Sequence, residues 1–219
     1  MRPIIATSGG GDFEQIPAGP YVARLYKIIY IGTVVEQFGD EPAKGVKKVN
    51  FTWELLTDVK GDKITMKDSD KPFAISKMYT MSTHKKASLR ADIEAWLGTR
   101  LTEEEAREYD ITELLGKHCM LQVVHKESNG KTYSNVGSIM STNDKPEGVN
   151  EEVSFTAEEP DLEVLETLPQ WLQDKIKESQ EWYDYQKANG TKEAKQIEDD
   201  SEPIDLSDIP FGGDDDATS

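Results

Sequence analysis

Val49, Phe51, Trp53 and Leu55 alternate with Lys48, Asn50, Thr52 and Glu54, a period of two that predicts a half-buried strand with one apolar and one polar face. Upstream, the Tyr-, Ile- and Val-rich run from Tyr21 to Val35 predicts a longer strand that bends at Gly32. A third strand is expected from Phe73 to Met81. The period then changes. Leu89, Ile93, Trp96 and Leu97 recur at helical spacing, behind Ser82 or Thr83 as cap and ahead of Gly98 as stop. Thr102 and Glu105 carry the spacing of a capping box, predicting a second short helix, and Leu114-Leu115-Gly116 closes the helical part. Strands resume from His118 to Lys126 and from Lys131 to Ser141. Between them Asn129-Gly130 supplies the positive φ of a tight hairpin.

Three strands, helices, then a two-strand hairpin is the order of an OB-fold, a five-stranded Greek-key barrel that commonly binds oligonucleotides. The expected fold is therefore mostly β: an OB-fold barrel with a helical insertion between strands 3 and 4, a C-terminal helix and a disordered acidic tail. The boundaries follow the pattern, with a flexible leader at 1–13, the barrel at 14–142 and an acidic linker or strap at 143–166. An amphipathic helix is expected at 167–189 and the tail at 190–219. Val153, Phe155, Leu162, Val164 and Leu165 are the apolar positions through which a strap would hold the barrel. In the helix, Thr167 and Gln170 have capping-box spacing, and Leu168, Trp171, Leu172, Ile176, Trp182 and Tyr183 make an apolar stripe that ends near Asn189-Gly190. Such a stripe must be covered, either by the barrel or by another copy through Trp171 and Leu172.

Charge is divided unevenly. Residues 1–150 hold 20 Lys+Arg against 21 Asp+Glu, whereas residues 151–219 hold 5 against 21, so the net charge of −17 resides in the last third. A globally acidic protein is a poor polyanion binder, because affinity for nucleic acid comes largely from Lys and Arg displacing counterions. A near-neutral domain with clustered lysines escapes that objection. The length fits one domain with appendages. The lone Cys119 excludes an internal disulfide, and the absence of a signal peptide or long apolar run points to the cytoplasm.

Within the tail, Ile209 and Phe211 sit among aspartates that cannot bury enough apolar surface to fold, so they read as anchors for another protein's pocket, stiffened by Pro210. Asp208, Ile209, Pro210 and Phe211 are the candidate partner-binding residues. The run Asp205-Leu206-Ser207-Asp208-Ile209-Pro210-Phe211 resembles the acidic tip of bacterial single-stranded-DNA-binding proteins, which recruits replication and repair enzymes. In those proteins the phenylalanine ends the chain and its carboxylate is recognised, whereas here eight residues follow Phe211. Pocket filling survives that departure and carboxylate capture does not.

A second resemblance covers about half the chain. The stretch from Phe73 to Trp96, together with Leu115-Gly116-Lys117-His118-Cys119, is similar to a family of bacteriophage OB-fold proteins regarded as single-stranded-DNA-binding replication factors. The segment Leu168-Pro169-Gln170-Trp171-Leu172 ahead of an acidic tail is also found in that group. The resemblance implies fold and role, and no site residues.

The candidate sites come from chemistry. Non-specific single-strand binding needs cations along a groove and flat rings on which bases stack. Arg24, Tyr26 and Lys27 lie on the first strand, Lys47, Lys48 and Trp53 on the second, Lys77 and Tyr79 on the third, with Lys85 and Lys86 just beyond it. By the two-residue period Lys77 shares a face with Tyr79, and Arg24 with Tyr26 and Tyr30. Trp53 has a competing role, since it alternates with Val49 and Leu55 as core. Lys126, Lys131 and Tyr133 on the hairpin would clamp the strand as an arm.

No constellation for catalysis is present in this pattern. Gly9-Gly10-Gly11 precedes any strand, and His84, His118, His125 and Cys119 lack zinc-ligand spacing. The expectation is a non-enzymatic protein without metal or cofactor that coats single-stranded DNA in phage replication or recombination and recruits partner enzymes through its tail. A homo-oligomer remains open, as does an acidic adaptor or DNA mimic that occupies a partner's DNA-binding groove.

Overall fold

The computed structural model of the chain describes residues 14–190 except 38, 40, 41, 68 and 129. Six strands and five helices follow in the order β1 (Gly19–Glu36), β2 (Lys44–Asp58), β3 (Phe73–Thr80), α1 (Ser88–Leu97), α2 (Glu103–Glu108), β4 (His118–Ser128), β5 (Lys131–Met140), β6 (Val153–Thr156), α3 (Leu162–Thr167), α4 (Gln170–Lys177) and α5 (Gln180–Ala188). A 3-10 turn, Ile111–Leu114, precedes β4. The strands form one mostly antiparallel sheet with the path β3-β2-β1-β4-β5, and β6 adds to β1 in parallel. The two ends of the path, β3 and β5, lie against each other, and α1 lies across both. Among the described residues no helix is long and apolar enough to cross a membrane.

β1 is the shared strand. One edge pairs with β2 from Tyr21↔Asp58 to Glu36↔Lys44, with register shifts between Val22/Ala23, Leu25/Lys27 and Tyr30/Gly32. The first shift adds Leu56 to β2, the other two add Tyr26 and Ile31 to β1, and each turns the pair more sharply. Gly32 has φ 98° at the third shift, the bend that its sequence position predicts. Because of these shifts the alternation along β1 is broken, and Arg24, Tyr26 and Tyr30 do not line one continuous face.

The inner face of the sheet holds one core, built on Leu25, Phe51, Trp53, Tyr79, Ile93, Trp96 and Leu121. Phe51 meets Trp53 and Tyr79 edge to face at centroid distances of 5.8 and 5.3 Å. Leu89, Ile93 and Trp96 place α1 on this core, and the Trp96 indole donates to the His118 carbonyl at 2.7 Å. α1 stops at Gly98, which is left-handed, as its position predicts. Its N-cap is Ala87, with no side-chain cap, instead of Ser82 or Thr83: the turn closed by Ala87 N–H to the His84 carbonyl delays the helix by one turn. The Thr102–Glu105 capping box forms in both directions.

A second core lies on the outer face. Ile29, Ile31 and Val34 of β1 pack against Phe155, Leu165, Leu168, Leu172, Ile176 and Trp182. The segment after residue 143 is thus a strap, and the apolar stripe is covered by the chain's own sheet. The single helix expected at 167–189 is three short ones. Thr167 ends α3, its hydroxyl donating to the Val164 carbonyl, so the Thr167–Gln170 capping box does not form and Pro169 precedes α4. Ser179 breaks the next helix and caps α5 by accepting from the Trp182 amide at 3.2 Å. That break lets Ile176 and Trp182, on successive helices, reach one cluster. Trp171 stays half exposed at 50%.

The strap changes β2 as well. Its polar face was expected in water, yet Lys48, Asn50, Thr52 and Glu54 are all buried. Asn50 is flanked by Ile29 and Met78, under the second core. Glu54 is wholly buried and accepts from Arg24 Nε at 2.7 Å, from the Val149 and Asn150 amides, and from Asn150 Nδ2 at 2.7 Å. This network fixes the crossing from β5 to β6. Gly148 lies where a Cβ would collide with the Arg24 guanidinium, so the crossing depends on glycine there.

A buried ion pair stripped of one partner leaves an uncompensated charge, at a cost of about 3–5 kcal/mol. Glu54→Ala is expected to destabilise the fold by about that amount in urea unfolding. Glu181 of α5 gives a pH signature. Its carboxylate accepts from the Thr33 amide, Thr33 Oγ1 at 2.9 Å and the Tyr30 hydroxyl at 3.0 Å. Burial opposes its charge, but those hydrogen bonds outweigh burial and hold its carboxyl below the usual range. A depressed folded value means stabilisation that is full above the unfolded value of about 4.3 and is lost as pH falls through the folded one. The stability difference between wild type and Glu181→Gln, followed by thermal melts, is expected to be largest near neutral pH and to shrink on that acid side.

Candidate nucleic-acid interface

The thirteen candidate DNA-binding residues do not assemble into one groove. Three are withdrawn by burial. Trp53 is 0% exposed, with its indole Nε1–H inside the core and without an acceptor. Tyr79 is 2% exposed, packed on Phe51, and its hydroxyl donates to Asp92 Oδ2 at 2.7 Å; burial and that carboxylate push the hydroxyl's pKa far up. Lys48, at 9%, pairs with Glu36 at 2.6 Å and donates to Thr80 Oγ1. Neither a base nor a phosphate reaches these groups without unfolding their surroundings.

Two more are engaged internally. Arg24 bonds Glu54, Glu152 and the Asn150 carbonyl, so its guanidinium serves the strap. Lys77 shares a face with Tyr79, as the period predicts, and its ammonium lies 5.0 Å from that ring. It also meets Asp92 Oδ2 at 2.6 Å. Asp92 therefore gathers both side chains and ties β3 to α1. Tyr26 and Lys27, adjacent at a bulge, are half-buried, with the Lys27 ammonium 5.7 Å from the Tyr26 ring. Burial lowers the Lys27 ammonium pKa; burial and then the Glu54 charge raise that of the Tyr26 hydroxyl.

Six candidates remain exposed, and they fall at opposite ends of β2. At its start stands Lys47, whose carbonyl accepts from the Met81 amide at 2.8 Å, bringing the β3 exit and hence Lys85 and Lys86 to the same end. Lys85 lies 3.6 Å from Glu103, both exposed, an arrangement worth little in water. At the other end the β4–β5 hairpin carries Lys126 directly opposite Tyr133, and Ser128 opposite Lys131. Tyr133 is 49% exposed. The span from Lys48 to Asp58 is roughly 33 Å at ~3.3 Å per residue, so one short oligonucleotide contact does not join both groups.

Sequence reasoning passed over the β2–β3 loop. Lys60, Lys63, Lys67 and Lys71 are all exposed there, at the hairpin end of the sheet. Their signal was spacing: four lysines in a turn-rich stretch with sparse apolar residues, around Gly61 at φ 87°. The partner-binding residues Asp208, Ile209, Pro210 and Phe211, the leader at 1–13 and Asn129 lie outside the described residues. Gly130 at the hairpin turn has φ 71°.

No protein-family model matches this chain, and no curated protein matches it.

Tyr79→Phe separates the two roles given to that ring. It deletes the hydroxyl that Asp92 receives while keeping the packing, and is expected to cost about 1–3 kcal/mol of stability in denaturant titrations. Oligonucleotide affinity per folded molecule is expected to stay unchanged.

Proposed function

We propose that this protein is a non-enzymatic OB-fold protein that binds single-stranded DNA without sequence preference, in phage DNA replication or recombination. The observation that carries the reading is the strand order. A long first strand lies between β2 and β4, helices stand between β3 and β4, and the terminal strands β3 and β5 lie against each other with α1 across them. That order supports a five-stranded Greek-key barrel. The exposed lysines and Tyr133 support the nucleic-acid part, because a cation beside a free ring suits phosphate and base together. Recruitment of partner enzymes rests on the sequence of the tail alone.

A DNA-mimic role has its own support. The cleft between the strap and α5 is lined by Glu158, Glu159, Glu181 and Asp184, and the chain carries a net −17. The two readings diverge in salt. A fluorescent poly-dT oligonucleotide titrated into the full chain is expected to bind at low salt and to weaken log-linearly as salt rises, with a slope of about −0.7 per phosphate contacted. A mimic gives no binding at any salt and instead captures basic DNA-binding proteins.

A further inference from the structure

The exposed groups lie at two ends of the sheet, and the structure distinguishes the ends. Past the first residue of β1, Gly19, two elements project in the same direction: the β2–β3 loop, which continues β2 beyond Asp58, and the β4–β5 hairpin, which continues beyond Val123. The segment before β1 joins them. Glu14 accepts from the Lys67 amide at 2.6 Å, and two residues on, the Ile16 carbonyl receives His125 Nε2 at 2.7 Å and Ser134 Oγ at 3.1 Å. Loop and hairpin are therefore held to one short stretch of chain, with the gap between them set before any ligand arrives.

The chemistry of this gap favours a polyanion with flat bases. Residues 60–71 carry four Lys against three Asp and residues 126–133 two Lys against one Glu, a local positive excess on a strongly acidic chain. The Asp58 carboxylate accepts the Lys60 and Asp62 amides through Oδ1 and so shapes the loop that carries these lysines. Tyr133 stands free with Lys126 across from it. At the opposite end the exposed large apolar side chains are Val35 and Met81, and the exposed ring beside Lys85 is the smaller imidazole of His84, whose Nδ1 accepts from the Lys86 amide at 3.4 Å. The outer face of β1 and β2, between the two ends, is closed by the strap.

We propose that single-stranded DNA is gripped at this end of the sheet, between the β2–β3 loop and the β4–β5 hairpin. Lys60, Lys63 and Lys67 contact phosphates from one side, Lys126 and Lys131 from the other, and a base stacks on Tyr133. The assignment rests on the single-strand-binding reading above and adds its location.

The test is anisotropy of a labelled poly-dT oligonucleotide with full-length protein over a salt series. Lys60→Ala/Lys63→Ala/Lys67→Ala and Lys126→Ala/Lys131→Ala are each expected to flatten the log–log salt slope, by about 2 and about 1.4. Tyr133→Ala is expected to lose about 5- to 150-fold in affinity with the slope unchanged, the loss of one stacked base. Lys47→Ala/Lys85→Ala/Lys86→Ala, at the far end, is expected to behave as wild type. All of these side chains are exposed, so the variants are expected to keep the wild-type circular dichroism spectrum. If the far-end triple flattens the slope while the loop and hairpin variants do not, the location is overturned and single-strand binding stands. If wild type fails to bind at low salt, the functional reading itself falls.

Discussion

A strand of eighteen residues presents backbone N–H and C=O groups on two edges, and groups left unpaired under a packed surface are costly. β2 satisfies one edge of β1 along nearly its whole length. The other edge is satisfied in relay. β4 pairs Gly19 to Arg24, then Gly116 and Lys117 exchange hydrogen bonds with Leu25. β6 takes Lys27 to Tyr30, the Ala157 amide donates to the Tyr30 carbonyl, and the carboxylate of Glu181 receives the Thr33 amide where no strand remains. Segments spread from residue 116 to residue 181 are thus brought to one line. The second core follows from this, because β6 and the helices after it arrive on the outer face of β1 and bury Ile29, Ile31 and Val34.

The relay also explains why so many cations fail to reach solvent. Arg24 lies in register with Glu54, and the crossing chain seals both under Asn150. Gly32, where a Cβ would meet Ser179 and Glu181, lets α5 approach β1 closely enough for a carboxylate to act as ladder partner. A low-dielectric environment makes such groups expensive to leave single, so each charge drawn under the strap comes with its partner: Arg24 with Glu54, Lys48 with Glu36. Lysines outside the strap's reach, on loop tips and the hairpin, keep their charge in water, where it is available to a polyanion.

Much of the fold was legible from local pattern. The period of two in β2, the helical spacing of Leu89, Ile93 and Trp96, the stop at Gly98, the Thr102–Glu105 box and the bend at Gly32 are short-range effects. They depend on backbone geometry and on neighbours within a few residues. The candidate site was legible only where it sat on such a unit. Lys126, Lys131 and Tyr133 belong to one hairpin, whose pairing follows from its turn, and they share a face as the strand period requires.

What the sequence by itself determined was the order and type of the elements from β1 to β5, the apolar faces of β2 and α1, and the placing of acidity in the last third. Tertiary structure decided which polar groups meet water. Trp53, Tyr79, Lys48, Arg24 and Lys77 read as an interleaved stripe of rings and cations, because strand periodicity gives two faces but not what lies upon them. The fate of the charged ones was set by partners 12 to 128 residues away, Glu36 for Lys48 and Glu152 for Arg24, which the period of a strand does not reveal. The split of the C-terminal helix at Ser179 has the same origin. A hydroxyl that caps a helix and a curved sheet that must be covered outweigh the propensity of a continuous helical stripe.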